Sequence, residues 1–237
     1  RKDIVNSSNI VSNFKKNDSA LKSGFIPQPL KNNNPPDLED LLGDLIDKNI
    51  EYNLKNVSYP KGPFKTIFYP KEPVTEIQKK FRAKPSFFTK LNKIELTDHE
   101  YSKHSRHIIE KFSMMIANNG KISDQMKTKK FSQRLLKSRW GNGSPNITAT
   151  SLPDDYVHFS QPRSLTVREW ARIQFFPDWY QFSGKRTTGG LRRAGNPLVG
   201  AFDRELPKYT QIGNAVPVGL AEAIAEHFKL ILNDVGL

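Results

Sequence analysis

The 237-residue chain carries 37 Lys and Arg against 24 Asp and Glu, a net charge of +13 with a pI near 9.8, and no cysteine. That balance makes a polyanion the natural partner, and the missing thiols exclude disulfides, thiolate metal sites and cysteine nucleophiles. The hydrophobic fraction of 36% is enough for a core, yet no apolar run reaches the roughly eighteen residues a membrane helix needs.

In chain order, residues 1–36 are polar and Asn-rich and end in Asn32-Asn-Asn-Pro-Pro36, the composition of a linker or a loosely held entry segment. The first residue is Arg1 and not Met, so a fragment or processed product is expected. Asp37-Leu-Glu-Asp-Leu-Leu-Gly-Asp-Leu-Ile46 places Leu38, Leu41, Leu42 and Leu45 on one helical face with Asp37 as cap. From Lys55 to Lys93 ten Lys or Arg face two Glu, with Phe64, Phe68, Tyr69, Phe81, Phe87 and Phe88 among them. Lys65-Thr-Ile-Phe-Tyr69, between Pro63 and Pro70, predicts a strand. The aromatic residues suit either core filling or base stacking, and core is the expected role.

Leu96–His107 holds His99, His104 and His107, and helical spacing puts His104 and His107 on one face. Without a third helper at ligand spacing, no metal site is assigned. Asn118-Asn-Gly120 signals a turn. Phe131-Ser-Gln-Arg-Leu-Leu-Lys-Ser-Arg-Trp-Gly-Asn-Gly143 is the best candidate for reading DNA bases. Arg134, Lys137 and Arg139 suit guanine edges or phosphates, and Gln133 and Asn142 suit adenine.

In Arg163-Ser-Leu-Thr-Val-Arg-Glu-Trp-Ala-Arg-Ile-Gln-Phe-Phe-Pro-Asp178, Thr166 and Glu169 form a capping box that starts a short helix, and Pro177 is expected to stop it. Ser183–Asn196 is a Gly-rich loop carrying Lys185, Arg186, Arg192 and Arg193, suited to touching a DNA backbone or, equally, a partner subunit. The Gly-Lys-Arg-Thr run within it lacks the spacing of a nucleotide-binding loop. At the end, Gln211-Ile-Gly-Asn-Ala-Val-Pro217 predicts a turn at Gly213 and Asn214. An amphipathic helix of about four turns, its first turn beginning at Pro217 and with Leu220, Ile224, Phe228 and Ile231 on one face, is expected to follow.

Gln211–Pro217 with its following helix resembles the last motif of the cytosine-5 DNA methyltransferases, and Arg163–Asp178 resembles the penultimate one, in family order and spacing. Ser144-Pro-Asn-Ile-Thr-Ala-Thr150 is similar to a family strand, with Asn146 in place of the usual Thr. The family's Gly-rich cofactor loop, Pro-Cys loop and Glu-Asn-Val segment are missing.

The resemblance implies an α+β chain in which a small β-rich target-recognition domain is joined to C-terminal helical elements. Those elements would complete a Rossmann-like methyltransferase α/β domain supplied by a missing N-terminal half. The divisions are an entry segment at 1–36, target recognition at 37–160, and at 161–237 the hinge helix, basic loop, cofactor turn and last helix. It further implies S-adenosyl-L-methionine at Gly213, Asn214 and Ala215, with contacts largely through backbone. Arg163, Thr166, Arg168, Glu169 and Arg172 would be structural hinge residues.

The implied partners are double-stranded DNA and a catalytic N-terminal half or subunit, in the bacterial cytoplasm near the nucleoid and in a restriction-modification system. Cytosine methylation in this family needs a thiolate, so the chain alone is expected to be inactive, with no catalytic residue of its own. One rival is a non-enzymatic sequence-specific DNA-binding protein derived from a methyltransferase. A second is a magnesium-dependent nuclease suggested by Pro153-Asp154 and Pro177-Asp178, which no Asp/Glu-x-Lys strand supports.

Overall fold

The computed structural model describes residues 27, 36–47, 52–53, 56–57, 66–86, 95–127, 133–139, 155–187, 197–200 and 206–234. The chain divides into two compact units, Pro36–Ala215 and Arg1–Pro35 with Val216–Leu237.

The first unit opens on helix α1 (Leu38–Leu42), with Asp37 as N-cap. Asp40 Oδ2 accepts from the Asp37 N–H at 2.9 Å, satisfying a donor that the helix start leaves free. A 3₁₀ turn, Gly43–Leu45, extends it. Leu38, Leu41, Leu42 and Leu45 are all buried, as their spacing predicts. Two short strands, β1 (Tyr52–Asn53) and β2 (Asn56–Val57), pair antiparallel. Helix α2 (Glu76–Arg82) starts on a Thr75–Gln78 capping box and buries Phe81. Helix α3 (Arg106–Ala117) is followed by a turn in which Asn119 and Gly120 take φ of 51° and 88°. The Gly120 N–H closes it on the Met115 carbonyl at 2.6 Å.

Strand β3 (Arg134–Leu135) pairs parallel with β4 (Tyr156–Val157) in the register Arg134↔Tyr156 and Leu135↔Val157. Phe112 and Met115 of α3 close a cluster with Val157, backed by Ile108, Ile122 and Leu135. Helix α4 (Val167–Ile173) is buried along its whole length. It packs between α1 and α5 (Lys208–Asn214), and α1 also meets α2. Trp170 sits at the centre of this core, 5.6 Å from Tyr156 in an edge-to-face contact.

In the other unit the described helix is α6 (Val218–Asp234), 17 residues or about five turns. Leu220 and Ala221 N–H groups donate to the Pro217 carbonyl, so the first turn begins at Pro217. Ile224 and Ile231 are half-buried, while Leu220, Phe228, Leu230 and Leu232 are exposed.

Several expectations are corrected. Thr66–Tyr69 is irregular and not a strand; it meets the 96–99 segment through two bonds, Thr66 N–H to His99 and Leu96 N–H to Ile67. The Thr66 hydroxyl bends it by accepting from the Phe68 N–H at 3.1 Å, leaving Phe68 72% exposed and outside the core. His104 precedes α3, whose N-cap is Ser105, so His104 and His107 do not share a helical face. Helix α4 ends before Pro177 acts, because Phe175 turns left-handed at φ 64°. Gly213 and Asn214 lie inside α5 in place of forming a turn, since Tyr209 and Ile212 bury a helical face there and the chain bends only at Ala215. Phe64, Phe87, Phe88 and the expected strand at Ser144–Thr150 lie outside the described residues. Described strand is confined to four two-residue segments.

Candidate functional site

The hinge residues form one buried assembly. Thr166 caps α4 by accepting from the Glu169 N–H at 3.1 Å, and Glu169 Oε2 accepts from the Thr166 N–H at 2.8 Å, a capping box as the Thr-x-x-Glu spacing predicts. The same carboxylate takes two bonds from Arg163, at 2.8 and 2.6 Å. Burial alone would raise the Glu169 carboxyl pKa, but the Arg163 charge and bonds hold it well below the usual carboxylate range.

Two neutral imidazoles line this ion pair. His99 contacts Thr166 Oγ1 at 3.1 Å and the Tyr101 hydroxyl at 3.0 Å. His158 Nδ1 accepts from the Ser160 and Gln161 N–H groups, so its proton resides on Nε2, which faces Glu169 at 3.6 Å. Enclosure pushes His99 down to about 4 and His158 to about 3.

Arg172 binds two further carboxylates. It meets Asp178 side-on at 3.0 and 2.6 Å, donates to Asp44, and reaches the Leu41 carbonyl at 2.9 Å. Asp44 is also held by Arg82, and Asp178 by the Tyr69 hydroxyl at 2.9 Å. Arg168 spends its donors on the Thr97, Pro177 and Tyr180 carbonyls and Thr97 Oγ1. Its N–H binds the carbonyl of Asp98, a residue at φ 61° whose carboxylate also takes Lys208 at 2.6 Å. Each charge is thus paired and hydrogen-bonded, the condition for keeping it in a dry interior. Asp178 has no free edge for a metal, which removes the basis of the nuclease reading at Pro177-Asp178, and the described residues contain no metal-holding cluster.

Helix α5 is fastened to this block. The Tyr209 hydroxyl donates to the Leu165 carbonyl at 2.7 Å, and Gln211 Nε2 donates to Ser183 and Leu206 carbonyls. At its end Gly213 and Ala215 are half-exposed and Asn214 is exposed. A small ligand therefore has access to this backbone, and the helix C-terminus offers partial negative charge to a cationic one. S-adenosyl-L-methionine, with its ammonium and sulfonium, fits both features.

Of the residues expected to meet DNA, Arg134, Lys137 and Arg139 emerge together from one short segment and are exposed. Leu136 between them is buried, and Ser138 carbonyl accepts from the Leu38 N–H at 2.9 Å, so the strip is fixed to α1 and to β4. Arg134 lies over the Tyr156 ring at 4.5 Å, and Arg139 is 3.6 Å from Asp37. Gln133 is half-buried with its carbonyl taken by Lys111 at 2.7 Å. Lys185 is exposed, whereas Arg186 is half-buried and donates to Glu100 carbonyl and Ser102 Oγ. Asn142, Arg192 and Arg193 lie outside the described residues. The sequence carries no sign that Asp98, Tyr69 or Gln174 belongs to this site; Asp44 carries one, as a lone carboxylate inside the Leu41–Leu45 apolar stripe.

Residues 30–230 match the family described as C-5 cytosine-specific DNA methylase. The chain is 32% identical over 138 residues to Type II methyltransferase M.DdeI of Desulfomicrobium norvegicum, covering 58% of this chain and 30% of that protein. It is 31% identical over 145 residues to Type II methyltransferase M.AquIB of Picosynechococcus sp., covering 61% of this chain and 96% of that protein. With Type II methyltransferase M1.HphI of Haemophilus parahaemolyticus it shares 33% over 144 residues, 59% of this chain and 33% of the relative. The chain thus spans about a third of two of these relatives and nearly all of the third. It belongs to the C-5 cytosine-specific DNA methylase family.

Proposed function

We propose that this member of the C-5 cytosine-specific DNA methylase family supplies target recognition and one wall of the S-adenosyl-L-methionine pocket to a DNA (cytosine-5-)-methyltransferase. The observation that carries the proposal is a family chain of 237 residues without a single cysteine. Methylation at carbon 5 requires a thiolate to add to the cytosine ring, so that this carbon becomes nucleophilic toward the donated methyl. The thiolate therefore comes from another segment or another subunit, and this chain is inert alone. The match to M.AquIB supports a separate subunit, because 96% of that protein, which is named as a methyltransferase, falls within the aligned region.

In this reading the exposed strip of Arg134, Lys137 and Arg139 meets duplex DNA, with Gln133, Asn142, Lys185, Arg186, Arg192 and Arg193 as further contacts. Residues 37–160 form the recognition domain. The Arg163–Arg172 block holds that domain against α5, and Gly213, Asn214 and Ala215 face the cofactor, which supplies the methyl group. The target cytosine is turned out of the stack toward the catalytic half. The exposed Leu220, Phe228, Leu230 and Leu232 of α6 are apolar surface that such a half would cover.

Affinity capture of the tagged chain from its native cells tests the assembly. The expected result is co-purification of a polypeptide bearing the Gly-rich cofactor loop and the Pro-Cys loop. A chain that is purified without partners, and that still binds one DNA sequence regardless of cofactor, supports the non-enzymatic DNA-binding alternative.

A further inference from the structure

Gln174, the residue after α4, is buried, and its own N–H closes the helix on the Trp170 carbonyl. Its side-chain amide leaves the hinge block altogether. Nε2 donates to the Ile212 carbonyl at 3.3 Å and to the Ala215 carbonyl at 3.4 Å. These two carbonyls bracket Gly213 and Asn214 at the end of α5, where the Ala215 N–H also donates to the Ile212 carbonyl at 3.1 Å and the later carbonyls run out of intrahelical donors. One NH₂ group has two hydrogens and so is suited to such a fork. Phe175 follows at φ 64°, so the chain turns away at once, and the amide reaches α5 from the last residue before that turn.

We propose that Gln174 is a positioning residue that holds the backbone of Gly213–Ala215 ready for its ligand and couples it to the recognition hinge. The proposal rests on the reading of that segment as part of the S-adenosyl-L-methionine pocket. Gln174 does not touch the ligand. It acts through the two carbonyls: its loss takes one donor from each, leaving the Ile212 carbonyl only the Ala215 N–H.

The test uses the chain assembled with its catalytic half, radiolabelled S-adenosyl-L-methionine in equilibrium dialysis, and the variants Gln174→Leu and Gln174→Glu. Gln174→Leu should weaken cofactor binding roughly ten-fold at unchanged DNA affinity. An ionised Glu accepts only and faces two carbonyls, so Gln174→Glu should bind worse at about pH 8 and recover toward pH 6 as the buried carboxyl protonates. Gln174→Leu, run in parallel, should show no such recovery. In the isolated chain, hydrogen exchange at Gly213–Ala215 should accelerate in both variants.

Equal cofactor binding by all three proteins, or a loss in Gln174→Glu that pH does not reverse, overturns the positioning role. If the wild-type assembly itself binds no cofactor, the pocket reading fails instead. Unchanged exchange at Gly213–Ala215 then overturns the clamp on its own.

Discussion

Arg163 grips Glu169 with two parallel bonds of 2.8 and 2.6 Å, and neither side chain reaches solvent. The same carboxylate caps α4 through Thr166, so a single pair fixes both the helix start and the segment that enters it. Removing either partner leaves the other charge buried and alone. Glu169→Gln or Arg163→Leu should therefore lower stability by about 3–5 kcal/mol. The double replacement should lose less than the sum, and urea titration of the wild type and the three variants measures the coupling.

Acid should unfold the protein earlier than surface charge alone implies. His99 and His158 sit neutral in the fold with pKa values of about 4 and 3, against 6.5 in the open chain, and His104, also desolvated, is lowered to about 4. The unfolded state therefore binds more protons in this window, and stability falls as pH drops from about 6.5 toward 4. Glu169, depressed by Arg163, acts in the same direction, because its contribution disappears as it protonates. Thermal melts from about pH 7.5 to 4.5 should show a falling Tm, and a His99→Gln, His158→Gln variant that folds should show a flatter slope.

Gly120 occupies φ 88° at the end of α3, a conformation a side chain resists. A Cβ there would meet only Leu135 Cβ at 3.5 Å, so space is not the obstacle. Gly120→Ala should thus cost about 1–2 kcal/mol through backbone strain. Chemical denaturation reads it, and DNA affinity below the transition should be unchanged.

Arg134, Lys137 and Arg139 extend from one anchored segment, so each should contribute separately to DNA binding. Single Ala substitutions should lower affinity, and a residue on phosphate should reduce the salt slope by about one. A residue that reads a base should relax sequence preference at one position, by about 1–3 kcal/mol of discrimination. Binding isotherms at several salt concentrations on matched and mutated sites separate the two roles.

The helices around α1 and α4 were legible because their signals are local: an apolar stripe after Asp37, and a Thr-x-x-Glu box before Trp170. The end of the chain was read less well. Gly213 and Asn214 carry a turn signature, yet the buried faces of Tyr209 and Ile212 keep them helical, and only tertiary packing decides that. The strand expected at Lys65–Tyr69 failed because the Thr66 hydroxyl competes for the local backbone donor. The pairing of Arg172 with Asp44 is beyond pattern reading, since the two stand 128 residues apart in sequence.

In the function proposed above, this cysteine-free chain completes a cytosine methyltransferase without being one by itself. Transfer of tritiated methyl from S-adenosyl-L-methionine to genomic DNA measures it directly, with the chain alone and mixed with its catalytic half. The account predicts silence from the chain alone and incorporation at cytosine carbon 5 in the mixture. Incorporation by the isolated chain would contradict it, as would a mixture with the cognate half that binds DNA and cofactor yet transfers nothing.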